Sequence, residues 1–201
     1  MIDTYRTIAE PSEVILHKEK NSKFYGYVFP VQSDDEVKEY LEQLRKQHTG
    51  AGHFCYAYQL GTERIYYRAN DDGEPSNSAG MPIYGQIQSF GLTNVLVVVV
   101  RFFGGVKLGV GGLIAAYRTA AQQALEGAAI EERTVDILFK VKFDYKNLNK
   151  VMRVIKEKNL SIISQTMELN CEIIISIRKK NAERVFTLFS ALFEIEIEQL
   201  H

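Results

Sequence analysis

The chain has 201 residues, of which 46% are hydrophobic and 24% charged, and its formal net charge at pH 7 is −1. This composition is that of a globular protein and excludes a disordered chain, while the near-neutral balance excludes bulk attraction to nucleic acid or anionic membranes. The longest unbroken apolar run, residues 95–100, is far shorter than the roughly 20 residues that a membrane-spanning helix needs. The polar, acidic N-terminus lacks the layout of a signal peptide. We therefore expect a soluble, cytoplasmic protein without membrane contact.

The first part of the chain predicts strands alternating with helices. Its strands are expected at residues 13–18, 23–31, 53–60, 64–68 and 94–101, and its helices at residues 79–90, at 113–124 and after Ser33. Ser33 or the Asp after it is a typical helix cap, because the acidic residues that follow suit the positive end of the helix dipole. Residues 94–101 are apolar on both faces, which predicts a central strand under a helical layer.

The second part predicts a compact series of short elements. The polar run at residues 131–134 is interpreted as a linker between domains at 1–130 and 135–201. Strands are expected at residues 137–143, 160–166, 169–177 and 193–198, with helices at 145–158, capped by Asp144, and from Asn181. The resulting βαββαβ order is that of a ferredoxin-like sheet with both helices on one face. The fold class is therefore α+β.

A glycine-rich stretch, RFFGGVKLGVGG at residues 101–112, precedes the helix that is expected at residue 113. Unpaired amides at a helix N-terminus can bind phosphate or carboxylate, and glycine lets a ligand approach the backbone closely. The alternative is a tight structural crossover, because the stretch matches neither the Walker A nor the dinucleotide-binding spacing. The candidate anion-binding residues are Arg101, Gly104, Gly105, Lys107, Gly109, Gly111 and Gly112.

A second polar stretch, DDGEPSNSAGMP at residues 71–82, offers carboxylates and hydroxyls. Asp71, Asp72 and Glu74 are of the type that binds a hard cation, but the spacing is not that of an EF-hand. A turn at Asp72, followed by Ser76 or Ser78 capping the next helix, explains the same residues. Neither serine lies in a nucleophile elbow. Asp72, Glu74, Ser76 and Ser78 are therefore ligand-binding candidates, and no catalytic residue is assigned.

Two weaker signals remain. Lys146, Lys150 and Arg153 lie on one predicted helix, where a basic run meets nucleic acid or, more often, forms a solvated face. His53 and Cys55 share a strand face, but without a second pair a buried cysteine is a better interpretation than half a zinc site. Neither Cys55 nor Cys171 belongs to a CxxC pair, and no metal or cofactor is expected.

Several motifs together resemble the IMPACT family, in its bacterial YigZ-like branch. They are DGEPSxxAGMPI at residues 72–83, TNVLVVVVRFFGGVKLGVGGL at 93–113, HxCYAY at 53–58, NSKF at 21–24 and the pair at 116–117. The resemblance extends over the whole chain. Where the family usually has Ser-Gly-Thr-Ala-Gly, this chain has Asn77 and Ser78. Asn still tolerates a positive φ, and Ser keeps the hydroxyl of Thr.

The resemblance implies a first domain like domain two of ribosomal protein S-five, with helices on one face of a mixed sheet. It also implies a ferredoxin-like second domain similar to a C-terminal domain of elongation factor G. The superfamily of the first domain includes kinases whose glycine-rich turn binds phosphate, and eukaryotic relatives act in translational control. No catalytic residue is carried over.

Two functions follow as hypotheses. The favoured one is a non-enzymatic, translation-associated regulatory protein that binds RNA, the ribosome or a translation factor through the amides of Gly111 and Gly112 and the basic helix. The alternative is an enzyme that acts on a phosphorylated or carboxylated small molecule, with Asp72 or Glu74 as base or Mg²⁺ ligand. The first is favoured because a nucleophile–base pair is missing.

Overall fold

The structure is a computed structural model that describes residues 3–200. The chain divides into two compact units. The first comprises residues 5–133, and the second comprises residues 134–200 together with Asp3 and Thr4. Within the described residues, no helix is both long and apolar enough to cross a membrane.

The first unit contains seven of the strands and three of the helices. They are β1 (Thr4–Ile8), β2 (Ile15–Glu19), β3 (Ser22–Pro30), α1 (Asp34–Gln47), β4 (His53–Leu60), β5 (Tyr66–Asn70), α2 (Gly80–Phe90), β6 (Val95–Phe102), α3 (Gly109–Glu126) and β7 (Ile130–Thr134). Ser33 caps α1 as predicted, because its side chain accepts a hydrogen bond from the amide of Glu36.

The central strand of the five-stranded sheet is β6, in the order β2-β3-β6-β4-β5. Val97 and its alternate neighbours pack with α2 and α3 in one core, whereas Val98 and its neighbours pack with α1 in a second core. The prediction of a central strand under a helical layer is therefore confirmed. The expectation of helices on one face of a mixed sheet is wrong. Every pairing in this sheet is antiparallel, and α1 covers the opposite face, since both faces of β6 are apolar.

Residues 131–134 form most of a strand, not a linker. Strand β7 pairs with β1 in a separate two-stranded sheet, and neither strand is among those predicted from the sequence. Their segments, TYRTI and IEERT, are rich in polar residues. A short sheet with little buried surface gives neither the alternating nor the continuous apolar pattern by which strands are identified.

The second unit has the predicted order of elements. It contains β8 (Asp136–Asp144), α4 (Leu148–Glu157), β9 (Ser161–Thr166), β10 (Asn170–Arg178), α5 (Lys179–Ser190) and β11 (Ile195–Gln199). The sheet order is β11-β8-β10-β9, with antiparallel neighbours. Buried side chains of α4 and α5 share one core with alternate residues of β8 and β10, so both helices cover the same face.

The start of α4 differs from the prediction. A short 3₁₀ turn at Tyr145–Asn147 precedes it, and Asp144 makes no capping hydrogen bond through its side chain. The Asp144 carboxylate instead lies 3.7 Å from the ammonium of Lys146.

Replacing Leu96 with Ala should destabilise the first unit by about 2–5 kcal/mol, because the side chain is fully buried on the central strand. The matched control is Leu16→Ala on the edge strand β2, where the side chain is exposed. Urea denaturation of both variants measures the difference. Equal losses of stability in the two variants would contradict this assignment of the core.

Candidate functional site

The glycine-rich stretch forms a loop at residues 103–108 and the first turn of α3. The helix begins at Gly109, one turn before the predicted residue 113. The apolar period starts only at Leu113, and glycines give no amphipathic signal, so the sequence pattern placed the boundary too late.

The first turn of α3 presents unpaired backbone amides. No side chain caps this helix, and no acidic residue lies in its first turn. In a helix that starts at Gly109, the amides of Gly109, Val110 and Gly111 precede the helical ladder. All three residues are exposed. The amide of Gly112 is in position to bond the carbonyl of the residue at 108 as the first helical hydrogen bond, so Gly111 rather than Gly112 offers a free amide.

Backbone geometry accounts for three of the five glycines. A Cβ on Gly104 would lie 2.1 Å from the carbonyl carbon of Asn21, so only glycine fits against the β2–β3 turn. Gly105 and Gly109 have φ values of +85° and +71°, in the left-handed region that favours glycine. These three residues are therefore explained by the tight crossover.

Gly111 is different. A Cβ at this position would meet nothing within 4 Å, and its φ is not positive. A Cβ on Gly112, in contrast, would lie 3.1 Å from the Cβ of Leu108. Glycine costs a helix up to about 1 kcal/mol relative to alanine. Since neither crowding nor backbone conformation requires glycine at position 111, its presence in the first turn of the helix is the feature to explain.

Exposed apolar side chains and a cation lie in this first turn and in the loop that precedes it. Phe103, Val106 and Val110 are all exposed, Phe103 at 55%, and Lys107 is exposed between them. Exposed aromatic and aliphatic groups next to a cation and free amides are suited to a ligand that has both an anionic and an apolar part.

Arg101 lies beneath this loop rather than on its surface. Its side chain is 5% exposed, and its Nη1 donates to Oε1 of Glu74 at 2.6 Å. The same carboxylate oxygen accepts a hydrogen bond from the hydroxyl of Tyr117 at 2.7 Å, and the Glu74 side chain is 4% exposed. The sequence predicts that Arg101 and Glu74 contact a ligand. The structure instead pairs them with each other.

Arg101 also positions the glycine-rich loop. Its Nη2 donates to Oγ of Ser22 at 3.4 Å, and the amide of Gly104 donates to the same oxygen at 3.2 Å. Its Nε has no hydrogen-bond partner, the one such buried side-chain nitrogen or oxygen in residues 3–200. The guanidinium lies 5.5 Å from the ring centroid of Phe103, which connects it to the exposed surface.

His53 and Cys55 face the Asp71–Asp72 turn. The Cys55 thiol donates to the carbonyl of Asp71 at 3.0 Å, and Nδ1 of His53 lies 2.8 Å from the carbonyl of Asp72. Burial raises the pKa of the Cys55 thiol far above its usual range, and it raises the pKa of the Tyr117 hydroxyl as well. The interpretation of Cys55 as a buried core residue is confirmed.

The remaining residues of the DGEPS loop (residues 71–78) hold the scaffold together. The carboxylate of Asp71 accepts hydrogen bonds from the amides of Asn77, Ala79 and Gly80 at 2.8–2.9 Å, so Asp71 caps α2. The sequence interpretation assigned that role to Ser76 or Ser78. Ser76 is exposed, whereas the buried Ser78 donates to the carbonyl of residue 75 at 2.6 Å.

Both carboxylate oxygens of Asp72 also accept hydrogen bonds from within the first unit. One of its carboxylate oxygens accepts from the amide of Phe54 at 2.6 Å, and the other accepts from Arg45 at 3.1 Å. No group of three potential metal ligands is present among the described residues. The loop is therefore built from internal hydrogen bonds.

In the second unit, the predicted basic residues have acidic or polar neighbours. Lys146 lies 2.8 Å from the carboxylate of Glu194, which raises the pKa of the lysine. Lys150 donates to the side chain of Asn147 at 3.2 Å, and Arg153 lies 3.8 Å from Glu157. Lys146 belongs to the 3₁₀ turn rather than to α4, while Lys150 and Arg153 lie on α4.

Comparison with protein families gives a match to the Impact N-terminal domain over residues 20–125. The chain is 36% identical to the IMPACT family member YvyE of Bacillus subtilis over 157 residues, which is 78% of this chain and 72% of that protein. It is 28% identical to the IMPACT family member YigZ of Escherichia coli over 152 residues, with 75% of this chain and 74% of that protein covered.

Among solved structures, the fold matches a crystal structure described as that of a hypothetical protein, with a TM-score of 0.77. The match covers 100% of this chain and 99% of the other, at 22% sequence identity. At that identity the likeness establishes the fold alone.

Replacing Arg101 with Met should cost about 3–5 kcal/mol of folding stability, because the buried carboxylate of Glu74 then loses the guanidinium that lies 2.6 Å from it. Adding Glu74→Leu to this variant should restore part of the loss, since the uncompensated carboxylate is removed. Chemical denaturation of the two variants and the wild type measures both effects. If Arg101→Met is as stable as the wild type, the pairing of Arg101 with Glu74 is contradicted.

The thiol of Cys55 should react very slowly with iodoacetamide in the folded protein at pH 8. Burial disfavours the thiolate, which is the reactive form. Mass spectrometry of peptides after timed alkylation measures the rate, and the same protein unfolded in guanidinium is the control. Similar rates in the folded and unfolded protein would show that Cys55 is accessible.

Proposed function

Because the chain belongs to the IMPACT family, we propose that it is a non-enzymatic, translation-associated regulatory protein in the cytoplasm. In this proposal it binds RNA, free or in the ribosome, through the glycine-rich loop and the first turn of α3; a translation factor is the alternative partner. The role of eukaryotic relatives in translational control, which the family resemblance implies, supports it. The likenesses to ribosomal protein S-five and to the ferredoxin-like domain of elongation factor G remain part of the proposal.

The observation that carries the proposal is the uncapped first turn of α3, with Gly111 at its surface. Free amides and the positive end of a helix dipole attract a phosphate oxygen. A side chain at position 111 would occupy the space that such an oxygen needs. Lys107, exposed directly before the helix, supplies the cation that a phosphate contact requires.

RNA is favoured over a free phosphate by the apolar surroundings. Phe103 is 55% exposed at the start of the loop, and exposed aromatic rings stack on unpaired bases in single-stranded nucleic acids. Phosphate binding by the amides and base stacking by Phe103 require a ligand that offers both groups. This combination is expected of single-stranded RNA and not of duplex RNA, whose bases are already stacked.

The basic residues of the second unit belong to the same proposal as phosphate contacts. Lys146 and Arg153 form ion pairs whose partners are all at least 40% exposed. Exposed ion pairs contribute little to stability, so a phosphate can replace the carboxylate at small cost. Lys150 has an uncharged partner, the side chain of Asn147.

The alternative of an enzyme relied on Asp72 or Glu74 as a base or a Mg²⁺ ligand. Both carboxylates accept short hydrogen bonds from within the first unit. No observation on these two residues favours catalysis over a structural role.

The substitution Gly111→Ala separates binding from folding. Stability should stay the same or rise by about 0.5–1 kcal/mol, because alanine is the better helix former. Affinity for a fluorescently labelled single-stranded RNA at low salt should fall about tenfold, measured by anisotropy. Gly85→Ala in α2 is the matched control, since a Cβ there also meets nothing within 4 Å. If Gly111→Ala binds RNA as tightly as Gly85→Ala and the wild type do, the free amide is not the binding group.

Lys107→Ala tests the electrostatic part. The dependence of log affinity on log salt should become shallower by about one ion, irrespective of RNA sequence. Lys46→Ala, an exposed lysine near the end of α1, should leave the slope unchanged. An unaltered slope in Lys107→Ala, or no RNA binding by the wild type at low salt, would overturn the proposal.

A further inference from the structure

One edge strand differs from all the others. The sheets of the described residues end in β2, β5, β9 and β11, and the separate pair is β1 and β7. Each of these strands except β9 contains at least one charged residue. Strand β9 has the sequence SIISQT, without charge and without proline. Charges and proline are the usual protection of an edge against pairing with another strand.

Strand β9 is also exposed to solvent along its whole length. All six of its residues are exposed, whereas the neighbouring β10 has four buried residues among nine and only Asn170 exposed. The pairing with β10 shifts at Ile174 and Ile175, which leaves Ile163 opposite no residue of β10. Ile163 is 59% exposed, and Leu169 in the turn after β9 is 90% exposed. An uncharged edge strand with two exposed isoleucines thus presents its unpaired backbone groups to solvent.

The ends of β9 carry opposite charges. Lys158 lies three residues before the strand and Glu168 two residues after it, and both side chains are exposed. Neither forms an ion pair with another of residues 3–200. If two copies of β9 run antiparallel, the start of each lies beside the end of the other. Lys158 of each copy then approaches Glu168 of the other.

We propose that β9 is an association surface for a second copy of this chain, with the two β9 strands paired antiparallel in a continuous sheet. Such an interface is isologous, because the same surface of each copy serves both sides of the two-fold axis. The neutral strand brings no like charges together, and the two end charges attract. Backbone hydrogen bonds supply the pairing, and burial of Ile163 adds apolar contact. This proposal is independent of RNA binding.

Sedimentation velocity over a wide range of protein concentration measures the association. The wild type should show a reversible monomer–dimer equilibrium. Ile163→Lys should raise the dissociation constant about tenfold or more, since a lysine on an edge strand opposes pairing. Leu188→Lys on α5, which replaces another exposed aliphatic side chain of the same unit, should leave the constant unchanged.

The charges allow a test that does not depend on Ile163. Lys158→Glu and Glu168→Lys should each weaken the dimer, because each variant opposes like charges at both ends of the interface. The double variant should recover the wild-type constant. Circular dichroism confirms that each variant is folded.

Three outcomes would overturn the proposal. The first is a wild type that stays monomeric at every concentration. The second is a dimer that Ile163→Lys does not weaken. The third is a double variant no tighter than either single one.

Discussion

The buried carboxylate of Glu74 is the contact on which the arrangement of the first unit depends. It joins three separate parts of the chain: the DGEPS loop, the end of β6 through Arg101, and α3 through Tyr117. A buried ion pair stabilises a fold only weakly, because desolvation offsets much of the attraction, but losing one partner is costly. Its value here is geometric. Arg101 also donates to the hydroxyl of Ser22, which accepts a hydrogen bond from the amide of Gly104. These contacts fix the point at which the glycine-rich loop leaves the sheet.

The ion pair of Glu74 with Arg101 favours a structural role for the polar motif at residues 71–82 over a role in ligand binding. Its carboxylates look like reactive groups, yet Asp71 caps α2, Asp72 holds Phe54 and Arg45, and Glu74 neutralises Arg101. The acidic residues of this motif therefore stabilise the first unit through internal hydrogen bonds and an ion pair. The proposed contact surface is formed instead by the glycine-rich loop and the first turn of α3, which leave backbone groups unpaired.

How far the sequence predicts this structure depends on the range of the interactions. The central position of β6 follows from its continuous apolar run, and Ser33 as a cap follows from its neighbours, because both signals are local. The pairing of Arg101 with Glu74 spans 27 residues, and no local pattern indicates it. The same holds for Lys146, whose partner Glu194 comes from the far side of the second unit's sequence. A run of cations along the chain says nothing about acidic residues that folding brings beside it.

Each unit keeps one feature that folding alone does not favour. Gly111 forgoes the helix stability that alanine would give, and β9 forgoes the charges that protect an edge strand. Departures of this kind from local consistency are expected where a protein makes contact with something else. The two features differ in chemistry, since free amides beside Lys107 attract an anion, whereas an uncharged strand attracts another strand. The proposed RNA contact is therefore centred on the first unit, and the proposed self-association belongs to the second.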